Sequence, residues 1–176
     1  MDRPILMAVV MAFLLLLLAL MLFGWRRRQR SQSQLPRPLG LPDDPGPVSL
    51  EVAAFYVATT LAGEPLNRIA VGGLGYRARA SVGVTDRGLT LSIPGQPTIF
   101  IPATGIRSVE KATWAIDRAV EEGGLVLIRW ALGAPAADST EVDSYLRIGD
   151  PALAAQFFES AQQLHANVSQ TGGRAQ

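Results

Sequence analysis

The sequence predicts an amino-terminal transmembrane α-helix followed by an α+β domain, a strongly bent antiparallel sheet or barrel of six or seven short strands closed by one carboxyl-terminal helix. Three observations predict it. Nineteen consecutive residues, Ile5 to Phe23, carry no charged or strongly polar side chain. From Val48 the apolar residues recur at every second position, the period of a half-buried strand. From Asp150 the period lengthens: Leu153, Phe157, Ala161 and Leu164 recur at steps of four, four and three, which is one face of a helix.

The first element is long enough for its expected role. At a helical rise of ~1.5 Å per residue, nineteen residues reach about 28 Å, close to a hydrocarbon core of ~30 Å. Thirteen of the nineteen are Leu, Ile, Val or Phe, a contribution of roughly −4 to −8 kcal/mol on insertion scales. The apolar core exceeds that of a signal peptide, the start is nearly neutral, and arginines instead of a small-x-small site follow it. The expectation is an uncleaved signal-anchor: residues 1–4 outside, a single-pass span at 5–25, and a basic collar and linker at 26–47. Arg26, Arg27, Arg28 and Arg30 set the orientation by the positive-inside rule, with the amino terminus outside and the domain in the cytoplasm. The same four arginines are candidate contacts to anionic headgroups.

Ser31 to Pro47 holds five prolines in seventeen residues. That density excludes a regular helix or central strand and predicts an extended spacer of about 50 Å. The domain is expected over 48–167, with a disordered tail at 168–176. Val52, Ala54, Tyr56 and Ala58 alternate as a first strand, although the alanines leave a helix open over Leu50 to Leu61. Gly63-Glu64-Pro65 ends it, and a loop runs on through Gly72, Gly73 and Gly75. Ala78, Ala80, Val82 and Val84 then face one side, against Arg77, Arg79 and Ser81. Asp86-Arg87-Gly88 is a tight-turn signal. Leu89, Leu91 and Ile93 alternate in the next strand, Pro94-Gly95-Gln96-Pro97 turns the chain, and Thr98 to Ile101 is a short strand. Ile106 to Trp114 is another, with Val109 and Trp114 as core residues. After a turn at Glu121-Glu122-Gly123-Gly124, Leu125 to Leu132 reads as a central strand. Val142, Leu146 and Ile148 form one face of the last strand, opposite Asp143, Tyr145 and Arg147. Asp150 is the expected N-cap, and Pro151 suits the first helical position.

The stretches GVTDRGLTL (83–91), IPATGIRSVEKATW (101–114), EEGGLVLIRWALG (121–133) and YLRIGDPALAAQFFESAQQL (145–164) follow this order of elements. The order resembles the pleckstrin-homology-like (PH-like) fold. More closely, the chain is similar to small bacterial membrane proteins with one amino-terminal span and a PH-like domain. The resemblance covers Val48 to about Ala166. It implies a tethered, non-enzymatic domain whose ligand is not established.

Composition narrows the function. From Val48 onward there are ten basic and twelve acidic residues, which argues against a nucleic-acid binder. With no cysteine, neither a disulfide framework nor a thiolate metal site can form. His165 stands alone, without the ligands that zinc needs. Gly73 to Ala78 matches GxGxxA, but a period-two strand follows it where a dinucleotide site needs a helix. Glu121 and Glu122 are adjacent and do not face each other across a substrate. Ser139 and Thr140 have no nearby base. No catalytic, cofactor or metal site is expected.

The best constellation is Arg68, Arg77 and Arg79. Arg77 and Arg79 share one strand face, and Arg68 comes from the preceding connection. The resemblance to phosphoinositide-binding PH domains makes them candidate phosphate or lipid contacts, and Arg suits bidentate phosphate recognition. The groove beside the last helix is the other candidate surface, which exposure of Tyr145 or Trp114 would support. The leading expectation is a membrane-tethered interaction module that holds a protein partner, or a second copy of itself, at the inner leaflet. The alternatives are an accessory subunit of a membrane transport or export complex assembled through its span, and an anionic-lipid or phosphate-binding module.

Overall fold

In the computed structural model the described residues are 3–33, 35–115, 118–119, 124–135 and 139–172. They fall into two compact units, Met1–Leu35 and Pro36–Gln176.

The first unit is one helix, α1 (Arg3–Ser33), which contains the nineteen-residue apolar stretch. Its described large side chains, from Ile5 to Phe23, are exposed within this chain. They run without interruption only over 10–23, about 21 Å of helix. Among the described residues no helix is long and apolar enough to cross a membrane.

The second unit is built on strands. In chain order they are β1 (Leu39–Gly40), β2 (Val48–Leu61), β3 (Glu64–Arg68), β4 (Ala78–Thr85), β5 (Gly88–Ser92), β6 (Ile99–Pro102), β7 (Ile106–Ala112), β8 (Trp114–Ala115), β9 (Arg118–Ala119), β10 (Leu125–Ala131) and β11 (Glu141–Arg147), followed by α2 (Pro151–Gly172). Nine of them form one antiparallel sheet in the order β1-β6-β5-β4-β2-β11-β10-β7, with β3 pairing on β2; β8 and β9 make a separate hairpin. This sheet with its carboxyl-terminal helix fits the PH-like fold.

The strand β2 is the spine. Its fourteen residues pair with β4 from Val48↔Thr85 to Tyr56↔Ala78, and with β11 from Phe55↔Arg147 to Leu61↔Val142. The alanines that left a helix open are accommodated because both edges of this strand are taken. Against β11 the register slips by one residue: Tyr145 faces Ala58, but Leu146 faces Tyr56. Val57 is the extra residue. The slip puts Tyr56 and Thr59 on the same inward face, where regular alternation would put them on opposite faces.

That inward face carries a buried hydroxyl chain. The Tyr56 hydroxyl donates to the Leu74 carbonyl oxygen at 2.9 Å and is joined to Thr59 Oγ1 at 2.9 Å. Thr59 Oγ1 meets Ser144 Oγ at 2.7 Å, and Trp130 Nε1 donates to Ser144 Oγ at 2.9 Å. Tyr56 and Trp130, the largest buried side chains, thus keep their polar atoms partnered inside the core. Phe157, Ala161 and Leu164 bring the buried face of α2 onto this core. The Asp150 carboxylate caps that helix, accepting from the Ala152 amide at 2.8 Å.

Several expectations change. The sheet has more strands than six or seven because β1 and β3 join its margins. Prolines at 36, 38, 42 and 65 concealed both strands, and proline is tolerated on an edge strand. The proline-rich stretch does not run free to Pro47. From Pro36 it lies on the domain as a strap. Leu39 pairs with Phe100 and Gly40 with Ile99, and Arg87 holds Asp44 through a 2.8 Å ion pair. Two glycines make room for it: a Cβ on Gly72 would lie 2.4 Å from Pro38 Cδ, and one on Gly133 2.9 Å from Pro36 Cβ. The second face of β11 is buried at Asp143 and Tyr145, while Arg147 at its end is exposed. Tyr145 is 5% exposed in a small cluster with Val57, Ala58 and Leu125, and Asp143 is 4% exposed beside Arg129 and the Gly63 amide. Val109 is buried as expected, whereas the Trp114 side chain and the 121–123 turn lie outside the described residues. The last helix continues past Asn167 to Gly172, and Leu153 in its first turn lies outside the buried contact.

One glycine tests the packing of the sheet. A Cβ on Gly88 would sit 2.3 Å from the Ile101 carbonyl oxygen, which belongs to the β5–β6 ladder and cannot give way; around Gly149 there is nothing within 4 Å. Gly88→Ala is expected to cost about 3 kcal/mol and Gly149→Ala less than about 0.5 kcal/mol. Paired thermal melts check this, and equal melting temperatures would refute the close approach.

Candidate functional site

The predicted arginines take different partners. Arg68 is half-buried at the end of β3, and its Nη2 donates to the Val57 carbonyl oxygen at 3.2 Å. It serves the register slip in β2, where a backbone oxygen leaves the regular ladder. Arg77 and Arg79 do share the outward face next to β2. Arg79 pairs in register with Phe55, and the Arg77 guanidinium lies 6.0 Å from the Phe55 ring centre, at the outer reach of a cation–π contact. Arg79 also borders a hollow of about 460 Å³ with Ser81, Ser92 and Gln96. Arg26, Arg27, Arg28 and Arg30 lie in α1 by backbone, and their side chains are outside the described residues.

Two arginines are committed to carboxylates instead. Arg129 grips Asp143 through two bonds, Nε to Oδ1 at 2.7 Å and Nη2 to Oδ2 at 3.0 Å. The hydrogen bond to Asp143 raises the Arg129 pKa further, and the Gly63 amide also donates to Asp143 Oδ2, at 3.3 Å. Beside this pair Arg107 Nε meets Glu141 Oε1 at 3.1 Å. These pairs tie β7, β10 and β11 together on their outward side and leave those cations poorly placed for a ligand.

The open surfaces adjoin α2. Near its start, a cleft of about 390 Å³ opens between the helix and the ends of β7, β10 and β11. Leu125, Val126 and Ile148 form its floor, Ala155 and Phe158 come from the helix, and Lys111 and Arg147 bring positive charge to it. Lys111 Nζ sits 5.1 Å from the Phe158 ring centre, so the ring holds the ammonium over an apolar hollow. The size lies within the range of small-ligand and side-chain pockets. Sequence reasoning pointed to the groove beside the helix through Tyr145 or Trp114, and the Trp114 side chain lies outside the described residues. Tyr145 is buried and marks no open surface; the available signal was Lys111 near the end of β7 and Phe158 on α2.

Near the end of the helix a wider groove of about 840 Å³ runs past Ser49, Thr85, Asp86, Thr104 and Ser160. Its walls are hydroxyls, amides and aliphatic groups, and the one charge among them is Asp86, so it does not suit an anion. Farther along, Gln162 Nε2 donates to the Val109 carbonyl oxygen at 3.2 Å and closes the space between α2 and the edge of β7. Among the described residues no three His, Asp or Glu side chains form a group that could hold a metal ion. His165 is half-buried in α2, and Gly73 to Ala78 leads into β4, not into a helix.

The model of the bacterial PH domain-like family matches residues 33–162. No curated protein matches the chain. Among solved structures, a chain of "The 8S snRNP Assembly Intermediate" is similar at 8% identity with a TM-score of 0.47, over 74% of this chain and 89% of that one. PH-like domains are generally non-catalytic, and no enzyme family was found.

The three candidate arginines should separate by stability. Arg68→Ala removes a charge-assisted bond to a part-buried carbonyl and is expected to cost about 1–2 kcal/mol. Arg77→Ala and Arg79→Ala should each stay within about 0.5 kcal/mol. Urea melts of the three variants decide it, and an Arg68→Ala midpoint matching wild type would contradict the assignment. The buried phenols give a pH test. Burial raises the pKa of Tyr56 and of Tyr145 above the ordinary ~10. Each therefore contributes stability that is complete below about pH 10 and is lost as pH rises through the raised folded value. Folded protein should resist phenolate formation above pH ~10 and then unfold as the phenols ionise. Two of the three tyrosines titrating normally in the folded chain would rule this out.

Proposed function

The chain belongs to the bacterial PH domain-like family, and on that premise we propose that it is a membrane-tethered, non-enzymatic interaction module. The tether is α1, through Ile5–Phe23, with the amino terminus outside and the domain at the inner face of the cytoplasmic membrane. The domain's task is to hold a protein partner, or a second copy, at that surface.

The observation that carries the interaction is the cleft at the start of α2. It offers an apolar floor for one anchoring side chain, and Lys111 meets an acidic group beside it. Protein interfaces concentrate their binding energy on such a filled pocket with a charged rim. The tether has separate support. In α1 the described side chains from 10 to 23 are apolar on every side and exposed. A helix without a polar face belongs inside a core or inside a bilayer. The arginines after it favour the cytoplasmic orientation.

Photo-crosslinking in intact cells tests the module. A photoreactive residue at position 158 should give a discrete adduct that Lys111→Glu reduces at least fivefold, with none from position 51 on the far face. The same cells fractionated at alkaline pH should keep the chain in the membrane pellet. Adducts of equal yield from 158 and 51 would remove the cleft from the proposal, and a chain released to the supernatant would remove the tether.

A further inference from the structure

The strap presents a surface that complements the cleft at the start of α2. Leu41-Pro42-Asp43, between β1 and β2, forms a short bridge fastened at both ends. Before it, Gly40 pairs with Ile99 on β6. After it, Asp44 Oδ2 lies 2.8 Å from Arg87 Nη1, which also donates to the Asp44 carbonyl oxygen at 3.0 Å. Proline at 42 removes further backbone freedom. All three side chains are exposed, Leu41 by 50%. The bridge thus offers a leucine and a carboxylate in a fixed frame, so a contact made with it immobilises little.

The cleft has the opposite charge over an apolar floor. Val126 pairs with Lys111 on one side and Leu146 on the other, so all three belong to one face of the sheet. Val126 and Leu146 are buried, which puts Lys111 on the core face, where its ammonium lies over the Phe158 ring. Arg147 is the other charge among the described residues that line the cleft, and no carboxylate is among them.

Bridge and cleft lie apart on one molecule. Arg87, which holds Asp44, follows Asp86 beside the groove near the end of α2, with Asn167 and Val168; the cleft lies near its start, with Phe158. Phe158 and Val168 stand about 15 Å apart along the helix. A three-residue bridge fixed at both ends does not cross that distance, so the two surfaces meet only between copies. We infer that the cleft takes the Leu41–Asp43 bridge of a second copy, with Leu41 in the apolar hollow and Asp43 against Lys111. The inference rests on the cleft reading above and names its occupant. Bridge and cleft are different surfaces, so the contact is heterologous. It is small, of the transient class, but copies tethered in one membrane meet at high effective concentration.

The chain has no cysteine, so introduced thiols report one contact each. Two differently tagged full-length copies are expressed together, one with Pro42→Cys and the other with Ala155→Cys, and oxidised in the membrane. A disulfide-linked pair bearing both tags is expected, and none when Glu51→Cys replaces Pro42→Cys. Leu41→Ala or Asp43→Lys in the first copy, or Lys111→Glu in the second, should each lower the yield roughly fivefold, the scale of one hot-spot contact. Asp43→Lys in the first copy together with Lys111→Glu in the second should restore it. A yield indifferent to these charges, no recovery in the swapped pair, or no linked pair at all would overturn the inference. The photo-adduct at position 158 separates this inference from the cleft itself. An adduct with another protein, beside an unlinked pair, defeats the second copy and leaves the cleft; no adduct defeats both.

Discussion

A single strand has to serve two halves of this domain. The fourteen residues of β2 pair with β4 on one side and β11 on the other, and the two ladders overlap at Phe55 and Tyr56. A strand in that position must bend, and a regular ladder bends poorly. The extra residue at Val57 resolves the conflict. It turns Tyr56 and Thr59 to the same side, where both join the hydroxyl chain to Ser144 and Trp130. It also displaces a backbone carbonyl, which Arg68 takes up from β3. The core network, the docking of β3 and the fate of one candidate ligand arginine all follow from that residue.

The domain then closes its margins. One end of the sheet is β7, where Gln162 of α2 bonds the Val109 carbonyl oxygen; the other is β6, where the strap adds β1. Covered edges remove the usual route by which a sheet recruits another chain. What is left for recognition among the described residues is local: the cleft beside Phe158 and the wider groove beside Ser160. On a tethered chain, weak contacts at such places gain from effective concentration, since the second contact no longer costs a free encounter.

Much of this was legible in the residues. The turns at Asp86-Arg87-Gly88 and Pro94 to Pro97, the inward set from Ala80 to Val84, and the Asp150-Pro151 helix start are all local signals, and they lie where the pattern put them. Features that depend on distant partners were not legible. Alternation reports one buried side of the last strand and leaves the surroundings of Asp143 and Tyr145 open. Tyr145 is buried against Val57, Ala58 and Leu125, and Asp143 against Arg129, all distant in the chain. The strap was hidden for a related reason. Proline density indicates extended chain, and extended chain can lie free or lie on a surface. The deciding residues are Gly72 and Gly133, which give no sign in sequence that they leave space for Pro38 and Pro36. Among the arginines, spacing showed that Arg77 and Arg79 share a face, but only the register slip explains why Arg68 turns away.

The strap also sets how the domain answers a pull. Tension arriving along the chain from residue 35 reaches the Pro36–Gly133 contact first, then Pro38 on Gly72, then the two-residue ladder to β6, and last the Asp44–Arg87 pair. These attachments stand in series, so a load opens them one by one, like a zipper, before it reaches β2. Each is small, and the strap yields while the body of the sheet stays closed. Released in full, residues 36–44 would add roughly 30 Å of extended chain at ~3.3–3.6 Å per residue.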